Sequence, residues 1–294
     1  MERFHGALTA IATPFVNGKI DEPGLADLIE FQIQNGIHGI VPCGTTGESA
    51  TLSFCEHKQV LELTVNVVAG RVPVMASAGA NNTLEAIELT KSAEKCGVDA
   101  VLSIVPYYNK PNQDGIFQHF KAIAESTHLP LFLYNVPGRT VVNLAPETVA
   151  RLAEIKNIVG IKEACGSLEQ ISDVIRLCPP KFIVLSGDDF TAMPTISIGG
   201  KGVISVVSNI HPKGMVELIN AALNADVIKA QVIHYQLFPL MKCMFCNPSP
   251  GPVKKGLQLI GVIGDASTRL PIPPVDDATI EKLREVMNDL RIHY

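Results

Sequence analysis

The sequence predicts a single (β/α)₈ barrel with a helical C-terminal extension. Eight short apolar runs with strand character alternate with helical patterns along most of the chain. Successive runs are far enough apart to hold one strand, one helix and two short loops, the repeating unit of a parallel α/β fold. At 294 residues the chain is long for one domain, but α/β barrels commonly reach this length. An open doubly wound sheet uses the same unit and is the structural alternative.

Each predicted strand is a short run of apolar and β-branched residues without polar alternation. Such runs are typical of strands that are buried on both faces of a parallel sheet. In a barrel, their carboxyl ends converge on one mouth, where catalysis takes place. In chain order, the predicted strands are residues 8–13, 39–43, 73–78, 100–106, 130–136, 158–164, 182–187 and 203–208.

The segments between the strands carry helix signals. Residues 23–35 place apolar side chains at helical spacing, and Gly36 suits the end of that helix. Ser53 and Glu56 form a capping-box pattern at the start of the next helix, and Pro146 suits a first helical turn.

The alternation stops after the eighth run. Helical stretches without a further strand follow, and prolines separate the first stretch from the second. We therefore expect a catalytic barrel, residues 1–224, and a helical extension packed on it, residues 225–294. The three predicted helices of the extension are residues 226–246, 252–263 and 276–293.

Composition argues against several classes of protein. A net charge of −5 without a basic run does not suit nucleic-acid binding. No apolar stretch is long enough to span a membrane, and the N-terminus has no signal-peptide pattern. The seven cysteines are scattered and odd in number, so we expect no disulfide framework and a cytoplasmic protein.

Lys162, near the end of the apolar run 158–164, is the most informative residue. Lysine is rarely buried without a specific role. At the loop end of a barrel strand, a desolvated amine can act as a nucleophile toward a carbonyl carbon. A structural ion pair is the alternative for Lys162 considered alone.

Other polar residues at the predicted strand ends suit metal-free chemistry on an anionic carbonyl compound. Three of the five tyrosines lie at two of these ends, and a buried tyrosine needs a partner for its hydroxyl. Considered singly, the threonines could be turn residues, the tyrosines packing residues and the arginine a surface charge. The set is Thr45, Thr46, Tyr107, Tyr108, Tyr134 and Arg139.

We expect no metal and no organic cofactor, because no cluster of candidate ligands has metal-binding spacing. Asp188 and Asp189 are adjacent carboxylates without a second group of ligands, and a role in backbone geometry is the alternative. Cys243 and Cys246 form a C-x-x-C pattern on a predicted helix without a partner pair, so zinc or redox chemistry is not expected there.

Three motifs, in this order and spacing, resemble the dihydrodipicolinate synthases, a family of the N-acetylneuraminate lyase superfamily of Schiff-base aldolases. They are Gly-Thr-Thr-Gly-Glu at 44–48, Tyr-Asn-Val-Pro-Gly-Arg-Thr at 134–140 and Gly-Ile-Lys-Glu-Ala at 160–164. The resemblance extends through nearly the whole chain. It implies that pyruvate and aspartate-4-semialdehyde condense to 4-hydroxy-tetrahydrodipicolinate, a step toward lysine and diaminopimelate.

The resemblance also implies roles for individual residues. A lysine would form an imine with pyruvate and hydroxyl groups would relay protons, which gives the catalytic set Lys162, Thr46, Tyr134 and Tyr108. Hydroxyl and backbone donors would hold the pyruvate carboxylate, and an arginine would hold the carboxylate of the semialdehyde. The implied substrate-binding set is Thr45, Thr46, Gly187, Ile204 and Arg139.

The resemblance further implies a homotetramer, a dimer of dimers, with an inhibitory L-lysine site at a subunit contact. Phe54 stands where some lysine-inhibited members carry histidine, and we expect weak to moderate inhibition. The positions that match the effector site are Ser49, Ala50, His57, Asn81, Glu85 and Tyr107.

Other functions remain open at this point. An N-acetylneuraminate lyase or a 2-keto-3-deoxy sugar-acid aldolase would share the chemistry, although Arg139 favours a short acidic aldehyde over a sugar. A non-catalytic barrel that binds a small acid would show binding without covalent trapping. A phosphate-binding barrel isomerase is a further alternative. It would use the glycine-rich residues 198–202 to hold a phosphate, but these residues could equally be a helix end and turn.

Overall fold

The computed structural model describes residues 3–292 and contains ten β-strands within that range. Eight of them form one parallel sheet, and the other two form a small hairpin. The strands are β1 (Gly6–Ala10), β2 (Phe15–Val16), β3 (Lys19–Ile20), β4 (Gly39–Val41), β5 (Met75–Ser77), β6 (Ala100–Ile104), β7 (Leu131–Asn135), β8 (Ile158–Glu163), β9 (Ile183–Ser186) and β10 (Gly202–Ser205).

The parallel sheet closes into a barrel. Its strand order is β4-β1-β10-β9-β8-β7-β6-β5, and a parallel bridge between Ile40 and Val74 joins its two ends. The seam continues where Ile40 N donates to Pro73 O at 3.0 Å and Ser77 N donates to Pro42 O at 3.1 Å. The predicted (β/α)₈ barrel is confirmed, and the doubly wound alternative is wrong because an open sheet keeps two free edges.

All eight predicted barrel strands are present, but their ends differ. The first strand is Gly6–Ala10 rather than residues 8–13. Beyond it the chain stays buried, but Ala12 N donates to the side chain of Asn209 at 3.0 Å instead of joining a neighbouring strand. The β2–β3 hairpin was not predicted from the sequence, because each of its strands has only two residues.

Helices connect successive strands and cover the outside of the barrel. The predicted capping box is confirmed, since Ser53 and Glu56 make both reciprocal bonds, and Pro146 begins its helix as expected. The α-helices are α1 (Glu22–Gln34), α2 (Phe54–Val68), α3 (Thr83–Cys96), α4 (Gln113–Glu125), α5 (Pro137–Thr140), α6 (Pro146–Leu152), α7 (Leu168–Leu177), α8 (Asp189–Ser197), α9 (Pro212–Leu223), α10 (Val227–Cys243), α11 (Gly251–Leu259) and α12 (Asp277–Asp289).

The last three helices correspond to the three predicted after the barrel, and each ends earlier than predicted. For the third, predicted to end at His293, that residue lies outside the described residues. Helix α10 packs on α8, α9 and α12, and α11 packs on α12. Between residues 3 and 292, no helix is both long and apolar enough to cross a membrane.

The barrel interior is filled by its own apolar cluster, separate from the layer between strands and helices. Phe4 belongs to this inner cluster and meets Phe132 edge to face, with ring centroids 5.3 Å apart. Met75, Leu185 and Ile204 are also fully buried within it. A filled interior leaves the carboxyl ends of the strands as the place for a site.

Asn209 fixes the start of the chain to the turn after β10. Its Nδ2 donates to Ala10 O at 2.8 Å, and its Oδ1 accepts from Ala12 N at 3.0 Å. Gln32 Nε2 of α1 donates to Asn209 O at 3.1 Å. These buried bonds satisfy backbone groups at the end of β1, just beyond it and in the turn after β10.

Candidate active site

The predicted site residues Lys162 and Tyr134 lie next to each other. They are paired in register on the neighbouring strands β8 and β7, and both are buried. The Lys162 Nζ lies 4.2 Å from the centroid of the Tyr134 ring. No salt bridge within residues 3–292 includes Lys162, so the structural ion pair considered above is not formed there. The amine is therefore buried without an ion-pair partner among the described residues.

Gly187 lies directly against Lys162. A Cβ atom at position 187 would be 3.2 Å from Lys162 Cε and 2.6 Å from Ala164 Cβ. Gly187 N donates to Glu163 O at 2.7 Å, which holds the two strand ends together. A side chain at this position would clash with Ala164 and press on Glu163 O and the lysine side chain, so glycine is the residue that fits without displacement.

Asp188 lies within the electrostatic field of two site residues. Burial raises the pKa of Asp188 to about 6, and the neighbouring Asp189 charge adds to the rise. The positive charges of Lys162 and Arg139 act in the opposite direction. Arg139 and Lys162, predicted from separate motifs, therefore act on one common carboxyl group.

Asp189 is used structurally. Its Oδ2 accepts from Val206 N and Val207 N, both at 3.0 Å, and burial raises its pKa. It thereby fixes the turn that follows β10, which is the backbone role considered for this residue. Within the described part of the chain, no group of three or more His, Cys, Asp or Glu residues could hold a metal ion.

The turn after β4 carries Thr45 and Thr46. Thr46 is buried and Thr45 is half-buried. Cys43 before this turn and Glu48 at its end have φ angles of 57° and 55°, a region that costs free energy for residues with a side chain. Glu48 N donates to Thr45 O at 3.1 Å within the turn. The turn is thus strained at both ends.

Glu48 and Lys254 form a buried ion pair that the sequence analysis does not identify. Lys254 Nζ donates to Glu48 Oε1 at 2.6 Å and to Ser267 O at 2.7 Å, and Arg269 N donates to Glu48 Oε2 at 2.9 Å. The amine also lies 4.0 Å from the centroid of the Phe15 ring. Burial lowers the pKa of Lys254, and the Glu48 carboxylate opposes this. Lys254 and Lys255 are adjacent on α11, and nothing in the local sequence indicates which of the two is buried.

Arg139 lies on the short helix α5, which the sequence analysis does not predict. The loop around it is held by Asn135, whose Nδ2 donates to Glu163 Oε1 at 2.9 Å and whose Oδ1 accepts from Leu144 N at 3.0 Å. Glu163 is fully buried, and burial raises its pKa. The residue next to Lys162 therefore fixes the loop that carries Arg139.

Tyr108 is exposed to solvent instead of lining the cavity beside Tyr134. Its side chain is 88% exposed and its φ angle is 72°. Tyr107 is partly exposed, and Asn81 Nδ2 donates to its backbone oxygen at 3.0 Å. Burial raises the pKa of Tyr107, and the charge of Glu85 adds to the effect.

One cavity of about 470 Å³ opens beside this site. Its walls combine residues from the substrate-binding and effector sets: Thr45, Tyr134, Arg139, Ser49, Ala50, His57, Glu85 and Tyr107, with Phe54 beside them. The predicted site residues that do not line it are Lys162, Thr46, Tyr108, Gly187, Ile204 and Asn81. Lys162 borders it indirectly, through the ring of Tyr134.

Cys243 and Cys246 lie at the end of α10 with their sulfur atoms 3.8 Å apart. Cys246 Sγ donates to Cys243 O at 3.0 Å, and burial raises the pKa of the Cys243 thiol to about 12. All seven cysteines are free thiols.

A model of the dihydrodipicolinate synthetase family matches residues 3–290. The 4-hydroxy-tetrahydrodipicolinate synthase of Desulfotalea psychrophila is 65% identical over 292 residues, 99% of this chain and 98% of that protein. The enzyme of the same name from Syntrophus aciditrophicus is 55% identical, over 97% of this chain and 98% of that protein.

Solved structures of similar proteins superpose over almost the whole chain. The chloride-inhibited dihydrodipicolinate synthase of Acinetobacter baumannii, complexed with pyruvate, has a TM-score of 0.96 at 45% identity and covers 98% of this chain and 99% of that one. The enzyme of Cyanidioschyzon merolae with lysine bound has a TM-score of 0.96 at 39% identity, with 99% of both chains covered. A monomeric dihydrodipicolinate synthase variant has a TM-score of 0.97 at 43% identity, covering 99% of this chain and 98% of that one.

Proposed function

The chain belongs to the dihydrodipicolinate synthetase family, and on this premise we propose that Lys162 is the residue through which it condenses its substrates. The chain is an enzyme, a carbon–oxygen lyase that condenses pyruvate with aspartate-4-semialdehyde to 4-hydroxy-tetrahydrodipicolinate in lysine and diaminopimelate biosynthesis. The sugar-acid aldolase alternative is not favoured, and the non-catalytic barrel is wrong, because these relatives carry the synthase name at 54–65% identity.

Lys162 Nζ attacks the ketone carbon of pyruvate, and water leaves as the imine forms. The protonated imine withdraws electrons, so the methyl carbon loses a proton and becomes the nucleophilic carbon of an enamine. That carbon attacks the aldehyde carbon of the second substrate, and the aldehyde oxygen gains a proton. The amino group of this substrate then displaces Lys162 and closes the ring, which returns the amine to its starting state.

Each step moves a proton, and the hydroxyl groups of Thr46, Tyr134 and Tyr108 are the proposed relay. Thr45, Thr46 and the turn backbone supply donors to the pyruvate carboxylate, and Gly187 leaves the space beside Lys162 that pyruvate needs. The buried Ile204 side chain supplies an apolar wall. The planar guanidinium of Arg139, at the cavity wall, suits the carboxylate of the semialdehyde.

The observation that carries this proposal is the difference between two buried lysines. Lys254 is committed to Glu48 and to a backbone carbonyl, whereas Lys162 lies over the Tyr134 ring without an ion-pair partner. A nucleophilic amine must be free to lose its proton and meet a carbonyl carbon. Only Lys162 of the two meets that requirement.

Borohydride reduction in the presence of pyruvate tests the assignment. The reduced imine should add its mass to the peptide that contains Lys162, as mapped by mass spectrometry. Lys162→Arg keeps a positive charge and should remain unlabelled, while Lys156→Arg, at an exposed position, should label like the wild type. Label on another lysine, or an unchanged mass, would refute the role of Lys162.

L-Lysine is the proposed inhibitor, bound in the part of the cavity lined by Ser49, Ala50, His57, Glu85 and Tyr107, with Asn81 supporting Tyr107. The lysine-bound structure of the related enzyme supports a site of this kind. Glu85 would pair with the ammonium group of the effector.

Calorimetry with millimolar L-lysine tests this site. We expect weak to moderate binding by the wild type and none by Glu85→Gln. Glu88→Gln, an exposed change one turn along the same helix, is the matched control and should bind like the wild type. Absence of heat with the wild type contradicts the proposal.

A tetramer, a dimer of dimers, is the proposed assembly. The exposed Tyr108 supports it, because a tyrosine that faces solvent in one chain could complete the relay of a neighbouring chain. The Tyr108→Phe variant and the Lys162→Arg variant should each have low activity when assayed alone. If Tyr108 acts across the contact, mixing them should restore activity, since one site then has both groups. No gain on mixing would place Tyr108 outside a shared relay.

We also propose that residues 1–224 act as the catalytic barrel and residues 225–294 as a helical extension. The cytoplasm is the proposed location, and the seven free thiols support a reducing compartment. Limited proteolysis tests the first proposal, because a separable extension should be released as one fragment while the barrel remains intact. Fractionation of the producing cell tests the second.

A further inference from the structure

The Glu48–Lys254 ion pair joins two distant parts of the chain. Glu48 ends the turn that carries Thr45 and Thr46, whereas Lys254 lies on α11, 206 residues further along. The two side chains are 2% and 0% exposed, so the contact is fully withdrawn from solvent. It connects the last helices directly to the turn that lines the cavity with Thr45 and Glu48.

Stability alone is a poor reason for such a pair. Taking two charges out of water costs free energy that their attraction often only offsets, and apolar replacements of similar volume are frequently as stable. What a buried pair supplies well is a single geometry. Each group here has further partners, Ser267 O for the amine and Arg269 N for the carboxylate, which fix the direction of both side chains.

The backbone of the turn needs an external support. Glu48 has a φ angle of 55°, and residues with side chains persist in that region only where the surroundings hold them. The Glu48 carboxylate receives two donors, both from residues after the barrel. The Glu48 amide in turn donates to Thr45 O at 3.1 Å. A fixed carboxylate therefore fixes the peptide that closes the turn.

We propose that Lys254 is a positioning residue for the condensation, because through Glu48 it holds the 44–48 turn with its donors aimed at the pyruvate carboxylate. Lys254 does not touch substrate. This inference rests on the proposed function of the turn and of Lys162, and it assigns part of the pyruvate site to the last helices of the chain.

Lys254→Met tests the inference, since it keeps an unbranched side chain and removes the ammonium group. We expect the KM for pyruvate to rise on the order of ten- to a hundredfold, since a misplacement of about 1 Å can cost about a hundredfold in rate. The KM for the semialdehyde should stay within about twofold, because that substrate is assigned to Arg139. The matched control is Lys255→Met, because the Lys255 amine donates to Gln258 Oε1 of the same helix at 2.8 Å and makes no other bond within residues 3–292. Both KM values should remain at wild-type values in this control.

The double variant Glu48→Gln with Lys254→Met separates positioning from a stranded buried charge. It leaves no unpaired charge, so it should unfold near the wild-type temperature even where Lys254→Met does not fold. If the pair positions the turn, the raised KM for pyruvate remains in the double variant. A return of that KM to the wild-type value would overturn the inference, as would an unchanged KM in both variants.

The assay begins with wild-type trapping by borohydride and pyruvate. If the wild type is trapped at Lys162 but the Lys254→Met and double variants keep the wild-type KM for pyruvate, only the positioning role is refuted. A wild type that is not trapped refutes the proposed function, and the positioning role with it.

Discussion

Replacing His119 should change how stability depends on pH. His119 lies on α4, where it is 5% exposed, and its Nδ1 is 3.0 Å from Thr83 Oγ1. Burial lowers the pKa of His119 from 6.5 to about 4. The folded chain therefore keeps this ring neutral at a pH where the unfolded chain protonates it.

The size and sign of the effect follow from the two pKa values. Above pH 6.5 the ring is neutral in both states, so no stability is lost there. As pH falls below 6.5, protonation favours the unfolded state, and the loss is complete below about 4. The total is about 3 kcal/mol, of which about 2 kcal/mol is lost by pH 5.

Urea unfolding at about pH 8 and pH 5, followed by circular dichroism, measures this loss. His119→Asn can keep the bond to Thr83 but does not titrate, so its unfolding free energy should fall by about 2 kcal/mol less than that of the wild type. The exposed His128→Asn is the control and should follow the wild type. Equal losses in the wild type and His119→Asn would refute a neutral buried ring.

Three further changes have expected outcomes. Tyr134→Phe keeps the ring beside the site lysine but removes the hydroxyl, so imine trapping should persist while kcat falls about a hundredfold or more; an unchanged kcat would remove this hydroxyl from the relay. Gly187→Ala should slow trapping at least about tenfold, because a methyl group there clashes with Ala164 and crowds the lysine side chain, whereas Gly264→Ala adds a methyl group in open space and should not. Equal trapping rates would contradict the crowding. Asn209→Ala should destabilise the fold by about 3 kcal/mol in thermal unfolding, since it leaves buried backbone groups unpaired. The exposed Asn220→Ala should change stability by less than about 0.5 kcal/mol, and matching losses in the two would refute the role of Asn209.

Much of the barrel follows from local sequence. Its eight strands are short apolar runs separated by helix signals, and their order in the barrel follows from parallel connections. Lys162 and Tyr134 could be placed together because each ends a strand and the two strands are consecutive in the barrel. Strand ends were less predictable, since buried chain such as Ala12 can be bonded by a side chain instead of a strand.

The supports of the site could not be predicted in this way. Glu48 and Lys254 are 206 residues apart, and neither segment contains a sequence pattern that indicates contact with the other. Their contact depends on how α11 lies on the barrel, which is a property of tertiary packing. The same holds for Tyr108, whose position at a strand end gives no sign that its side chain leaves its own site. Local patterns identify the reacting group, whereas the groups that orient it come from the assembled fold.

The anchor of the Glu48 turn has a consequence for synthesis of the protein. A ribosome completes all eight strands and Lys162 well before it reaches Lys254 and Arg269. A nascent chain at that stage has its nucleophile but lacks the two donors that hold the turn. The chain would then become able to bind pyruvate only late in translation. A chain truncated after the barrel would keep the lysine but would lack an ordered pocket for its substrate.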